Sequence, residues 1–169
     1  ASADSVSIPD IPDASAWAGR DDRVVQLRKL LRGKASEAIA AAAAADFGPT
    51  DLPGPTGEAN TLTLHPRGTV LCLGPDREAV LAQAVQALAA GNAVVAIAAD
   101  AQAALQPLLG KGLPVAAADG PVSLDALGEA KVDVVACAPD MPGLREIRRT
   151  LAARKGQIVP LVTTKLDPV

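Results

Sequence analysis

Two apolar runs of strand length constrain the fold most: Ala93-Val94-Val95-Ala96-Ile97 and Val132-Asp133-Val134-Val135-Ala136-Cys137-Ala138. Neither alternates cleanly between apolar and polar residues. Runs of this kind belong to strands covered on both faces, as in parallel sheets. Further strands are expected at 69–73, 114–117 and 157–162, and helices at about 76–90, 100–110, 123–129 and 141–154. The helix at 76–90 is expected to bury Val80, Leu81, Ala84, Val85 and Leu88. Strands alternating with helices of this length imply right-handed crossovers and a parallel sheet. The expected class is therefore α/β, a doubly wound Rossmann-like parallel sheet, spanning residues 69–169.

Ahead of it, residues 1–49 read as an N-terminal helical arm. Residues 1–19, with Pro9 and Pro12, are expected to be extended. A helix follows in which Val24, Leu27, Leu30 and Leu31 share a stripe, with Asp21 and Asp22 as candidate caps and Arg23, Arg28 and Lys29 on a solvated face. Gly33 is expected to end it. A second helix, about 34–47, carries the alanine block Ala40–Ala45. The core is aliphatic, because Phe47 and Trp17 are the only aromatic residues. At 169 residues roughly 70% of the unfolded surface can be buried. Small side chains bury little area each, so the core is expected to be thin and to want a neighbouring surface. Trp17 is expected to anchor the arm.

Residues 50–73 are expected to form a turn-rich segment and a β-hairpin flap. Pro53, Gly54, Pro55 and Gly57 punctuate the first part. Then Leu62 and Leu64 alternate with Thr61, Thr63 and His65, and "PRG" leads into "TVLCLG". A half-buried strand at 61–65 paired with 69–73 through a three-residue loop is the expectation.

Ligands of doubly wound sheets bind beyond the carboxyl ends of the strands. The expected exits here carry Asp76, Asp100, Asp119 and Asp140. Asp76, Asp100 and Asp140 precede helices, where a carboxylate caps orphan N–H groups and repels a pyrophosphate. There is neither a G-x-G-x-x-G pattern nor a P-loop lysine. His65 is the only histidine and has no companions suited to a metal. Cys72 and Cys137 sit among Val, Leu and Ala, which implies unreactive thiols in a reducing cytoplasm. The net charge of −3 lacks the basic stripe that nucleic acid demands, and no run reaches the ~18 apolar residues of a membrane span. The chain does not start with Met and reads as a piece of a longer protein.

The stretch "HPRGTVLCLGPDREAVLAQAVQALAAGNAVVAIA" resembles the start of the cofactor domain of the aldehyde dehydrogenase superfamily. "VDVVACAPDMPGLREI" and "GQIVPLVTTK" resemble its later strand–helix and strand segments. The resemblance covers residues 65–167, and "ALAAGN-x-VV" is its most specific part. It implies that the family's cofactor-binding lysine falls on Ile97, its phosphate-facing Gly-Ser on Pro139-Asp140, its catalytic glutamate near Leu161, and its paired glycines on Thr163 and Thr164. No cofactor is therefore expected in this segment. "LPGPTGEAN" followed by "L-x-P-R-G-x-VLCLG" further resembles the C-terminal region of long proline utilization A proteins. That family joins an FAD-dependent proline dehydrogenase to an NAD-dependent glutamate semialdehyde dehydrogenase. Its long members carry an extra aldehyde-dehydrogenase-like domain whose hairpin flap helps close the internal tunnel.

The expected role is thus a non-catalytic domain that contacts the other domains of its polypeptide, and a second protomer of a homodimer, through Leu62, Leu64, His65 and Arg67. Two other readings stay open. A working NAD-binding half of a dehydrogenase would use Asp100 or Asp119 to hold a ribose. A small receiver-like α/β module would use Asp76, Asp100 and Asp140 to bind Mg²⁺.

Overall fold

The computed structural model describes residues 5–163. Seven helices and seven strands follow one another among them. The helices are α1 (Ser15–Ala18), α2 (Arg23–Leu31), α3 (Ser36–Ala44), α4 (Arg77–Ala89), α5 (Ala101–Leu105), α6 (Leu124–Glu129) and α7 (Leu144–Ala152). The strands are β1 (Thr50–Leu52), β2 (Asn60–Leu62), β3 (Thr69–Cys72), β4 (Ala93–Ala98), β5 (Val115–Asp119), β6 (Val134–Ala136) and β7 (Leu161–Val162). β3 to β7 form one parallel sheet in the order β5-β4-β3-β6-β7. The winding reverses between β3 and β6, which is the topological switch point of a doubly wound fold.

The near-continuous apolar strands are explained by burial on both sides. One face packs Val70, Cys72, Val94, Ala96 and Val134 against α1 to α5. The other packs Leu71, Leu73, Val95, Ile97, Val135 and Cys137 against Leu127 of α6 and Ile147 and Leu151 of α7. In α4, Val80, Ala84, Val85 and Leu88 are fully buried and Leu81 partly so.

The N-terminal residues are bound into this body. Val6 bridges to Val122 and donates its N–H to the Pro121 carbonyl, and Val6 and Ile8 pack on the second face. Trp17, 5% exposed, sits on the short helix α1 and donates its indole N–H to the Leu88 carbonyl at 2.7 Å. Arg23 departs from expectation. It is half-buried and its guanidinium donates to the carbonyls of Ala89, Ala18 and Arg20. The last carbonyls of a helix have no partner within it, and Trp17 and Arg23 donate to two of those of α4, Leu88 and Ala89. Asp22 is the residue before α2 but makes no side-chain cap. Its carboxylate instead accepts from Arg20 and Gln26, and these bonds, Arg20 first, hold its carboxyl well below the usual range. α2 ends where Arg32 and Gly33 turn left-handed, as the glycine predicts.

The hairpin differs most from expectation. β1 and β2 pair antiparallel, with Thr50 opposite Leu62 and Leu52 opposite Asn60. Residues 53–59, expected as an irregular linker, are its loop. β3, expected as its second strand, lies in the middle of the parallel sheet between β4 and β6. All four β3 residues are buried, a condition that an edge ribbon cannot provide. The 61–65 segment is exposed rather than half-buried.

Candidate functional site

The crevice at the switch point is bounded by the β3–α4 turn, Gly74-Pro75-Asp76, and the β6–α7 turn, Ala138-Pro139-Asp140. Gly74 has φ +79°, and a Cβ there would meet Asp76 N at 2.9 Å, so the turn requires glycine. Both backbone groups of Gly74 are already engaged. Its N–H donates to Gln83 Oε1 at 3.0 Å, and its carbonyl accepts from Gln83 Nε2 at 2.9 Å and from the Ala138 N–H at 2.8 Å. Asp76 Oδ1 accepts from the Ala79 N–H at 2.9 Å, which places a carboxylate on the N-terminus of α4. An anion approaching this turn therefore meets a negative charge and occupied N–H groups.

The other exits treat their aspartates differently. Asp100 makes no side-chain cap; it sits at φ +56°, and the first turn of α5 is capped from the next strand. There the Asp119 carboxylate accepts from the Gln102 N–H at 2.9 Å. Asp140 caps nothing either. α7 starts four residues later, after Pro142, with Gly143 as its N-cap residue at φ +73°. The expected capping role thus holds for Asp76 and fails for Asp100 and Asp140. The sequence shows acids before helices but not which backbone angles the turns adopt.

Ile97 is 1% exposed and packs in the second-face cluster with Val95 and Val135. Leu161 points to the same cluster and is half-buried. Pro139 and Asp140 are exposed. Thr163 is half-buried, and Thr164 lies outside the described residues. Of the four degenerate positions, Ile97 and Leu161 thus share one apolar cluster, while Pro139 and Asp140 lie at the surface. Of the expected interface residues, Leu62 and Leu64 are 46% and 51% exposed. His65 and Arg67 are exposed as well.

Both thiols are buried. Burial pushes Cys72 up to about 12. It also raises Cys137, against the opposing pull of the Arg148 charge. Thiols so shifted are poor nucleophiles. Among the described residues no three His, Cys, Asp or Glu side chains are grouped to hold a metal ion. No helix among them is long and apolar enough to cross a membrane.

The sequence reading missed Asn92 and Asp133. Asn92, 7% exposed, accepts from the N–H groups of Arg67 and Gly68 and donates to the Ala87 carbonyl. Asp133 accepts from the Thr69 N–H at 2.8 Å. Together they fix the start of β3 against the starts of β4 and β6. The signal was present as a polar residue at the mouth of an apolar strand.

No protein-family model matches the chain. The sheet order and its helices are those of the aldehyde dehydrogenase fold. An NAD-dependent benzaldehyde dehydrogenase from Corynebacterium glutamicum superposes with a TM-score of 0.58 at 15% identity, covering 89% of this chain and 43% of that one. The likeness at the level of sequence is narrower. The bifunctional protein PutA of Klebsiella aerogenes is 39% identical over 110 residues, which is 64% of this chain and 8% of that protein. PutA of Rhizobium meliloti is 31% identical over 171 residues, 91% of this chain and 13% of that protein. A proline utilization A structure with proline bound in remote sites superposes with a TM-score of 0.67 at 23% identity, covering 89% of this chain and 20% of that one. The chain is thus a PutA-like domain with the fold of the aldehyde dehydrogenases. It spans between 8% and 13% of the length of these curated relatives.

Proposed function

We propose that this chain is a non-catalytic structural domain of a bifunctional proline-catabolic enzyme that converts proline to glutamate. It packs on the catalytic domains and helps close the tunnel through which the intermediate passes. FAD and NAD then serve the proline dehydrogenase and glutamate semialdehyde dehydrogenase parts of the parent, and this segment holds neither. Its partners are the other domains of the same polypeptide and the second protomer of a homodimer. Buried thiols such as Cys72 and Cys137 suit a reducing cytoplasm.

One observation carries the reading. The β3–α4 turn, where a dinucleotide needs bare N–H groups and no negative charge, is occupied by Gln83 and by the Asp76 carboxylate. The alternative in which Asp119 binds a ribose is disfavoured because that carboxylate already accepts from Gln102. Isothermal calorimetry of the 169-residue chain with NAD is expected to show no binding. A dissociation constant in the micromolar range overturns the non-catalytic reading. In the intact polypeptide, deleting this domain is expected to leave each half-reaction running and to introduce a lag in NADH formation from proline. Unchanged coupling removes the tunnel-closing role.

A further inference from the structure

Among the described residues, the face of the sheet over β6 and β7 is left open on one side. Val134 and Ala136 of β6 and Val162 of β7 share that side, since Ala136 pairs with Val162 in register and Val135 with Leu161 faces the other way. They floor a groove of about 1250 Å³, walled on one side by Ala79, Ala82 and Gln86 of α4. Val162 is 46% exposed, and Ile158 just before the strand is 88% exposed. Parallel strands are ordinarily covered on both faces by helices. α6 and α7 cover the opposite side. A helix of ten residues, ~15 Å long and ~10 Å across, occupies roughly 1200 Å³, the scale of this groove.

We infer that this groove seats an α-helix from another domain of the parent polypeptide, laid against the alanine wall of α4 and antiparallel to the strands. The inference rests on the proposed docking role and names the surface that performs it. The small residues Ala79, Ala82 and Ala136 let a helix approach closely. Charge sets its direction. At the carboxyl ends of the strands the groove is lined by Asp76, Glu78 and Asp140 together with Arg77, and Arg67 lines it at the opposite end, while Lys34 and Glu37 add one charge of each sign to its lining. A helix carries partial positive charge at its N-terminus and negative at its C-terminus. Its N-terminus therefore lies beside Asp76 and Asp140 and its C-terminus beside Arg67. Crossover helices of α/β sheets run in that same direction relative to their strands.

Thiol labelling with a maleimide tests this. Ala136→Cys is placed in the intact bifunctional polypeptide and in the 169-residue chain, with Leu62→Cys as a parallel probe on the hairpin. The native thiols are buried and supply a slow background. Ala136→Cys is expected to label at least about tenfold more slowly in the intact polypeptide than in the short chain, because the seat must open first. Protection of Leu62→Cys alone overturns the groove inference and leaves the docking role standing. Protection of neither site overturns both. Slow labelling of Ala136→Cys in the short chain overturns the inference too: independence of concentration means the chain covers its own groove, and dependence means a second copy does. Asp140→Arg, in the intact polypeptide, is expected to speed Ala136→Cys labelling, and no change overturns the stated direction.

Discussion

The unit β3–α4–β4 and the hairpin β1–β2 lie close in sequence and are held by opposite means. Every residue of β3 and β4 is buried. The helix between them is capped by its own Asp76 at the start and by Trp17 and Arg23 at its last carbonyls. Every residue of β1 and β2 is exposed. The hairpin has a cross-strand bond from Thr61 Oγ1 to Asp51 Oδ1 at 3.2 Å. Isolated two-stranded ribbons are marginal in water. The first region is specified by what lies inside the chain. The second presents Leu52, Leu62 and Leu64 to solvent and, in the proposed function, to a partner.

Substitutions inside the sheet unit should bring the largest losses. Trp17→Ala removes a buried indole and one of the hydrogen bonds to the Leu88 carbonyl, and is expected to cost about 3–5 kcal/mol in urea unfolding. Trp17→Phe keeps most of the packing and separates the hydrogen bond from the burial. A loss for Trp17→Ala below about 1 kcal/mol would detach α1 from the core. Asn92→Ala strands the N–H groups of Arg67 and Gly68 and is expected to cost about 2–3 kcal/mol. Asp76→Ala removes a single N-cap at an exposed site and should cost about 1 kcal/mol. Asp140→Ala, the acid that caps nothing, should fall within about 0.5 kcal/mol of the parent, and a cost equal to that of Asp76→Ala would contradict the geometry of the β6–α7 turn.

What was legible in the sequence divides along the same line. The five sheet strands and the helices between them show because burial on both faces writes continuous apolar runs, and because α4 repeats its buried residues at 80, 84, 85 and 88. The pairing of β1 with β2 was not legible. Strands of three residues leave no periodicity, and the apolar start of β3 offered a more attractive partner for the 61–65 segment. Arg23 shows a further limit: its sequence position resembles a solvated face, yet its guanidinium reaches a carbonyl 66 residues away. At the crevice, the acids were visible and Gln83 was not, since a glutamine on a helix carries no sign that it will close a glycine's backbone groups. Ile97 is visibly aliphatic in the sequence, but only the fold shows that it packs on the α6–α7 side.

The smallest expected effect tests the comparison from its other end. Leu52 and Leu62 stand on one side of the hairpin, since Thr50 and Leu62, and Leu52 and Asn60, are cross-strand partners, and Asp51 and Thr61 stand on the other. Leu62→Ser exchanges an exposed apolar side chain for a polar one without opening a cavity. In the 169-residue chain it should therefore change unfolding stability by less than about 0.5 kcal/mol. The same change in the proposed parent polypeptide removes apolar area from the proposed contact, worth on the order of 1 kcal/mol for a side chain that was half exposed to begin with. The asymmetry is the prediction, because an exposed leucine acquires energetic meaning only where something covers it. Equal and negligible effects in both settings would show that the hairpin faces water in the assembly as well. A large loss in the short chain would mean that the leucine side packs on this chain itself, and the contrast between the hairpin and the sheet unit would disappear.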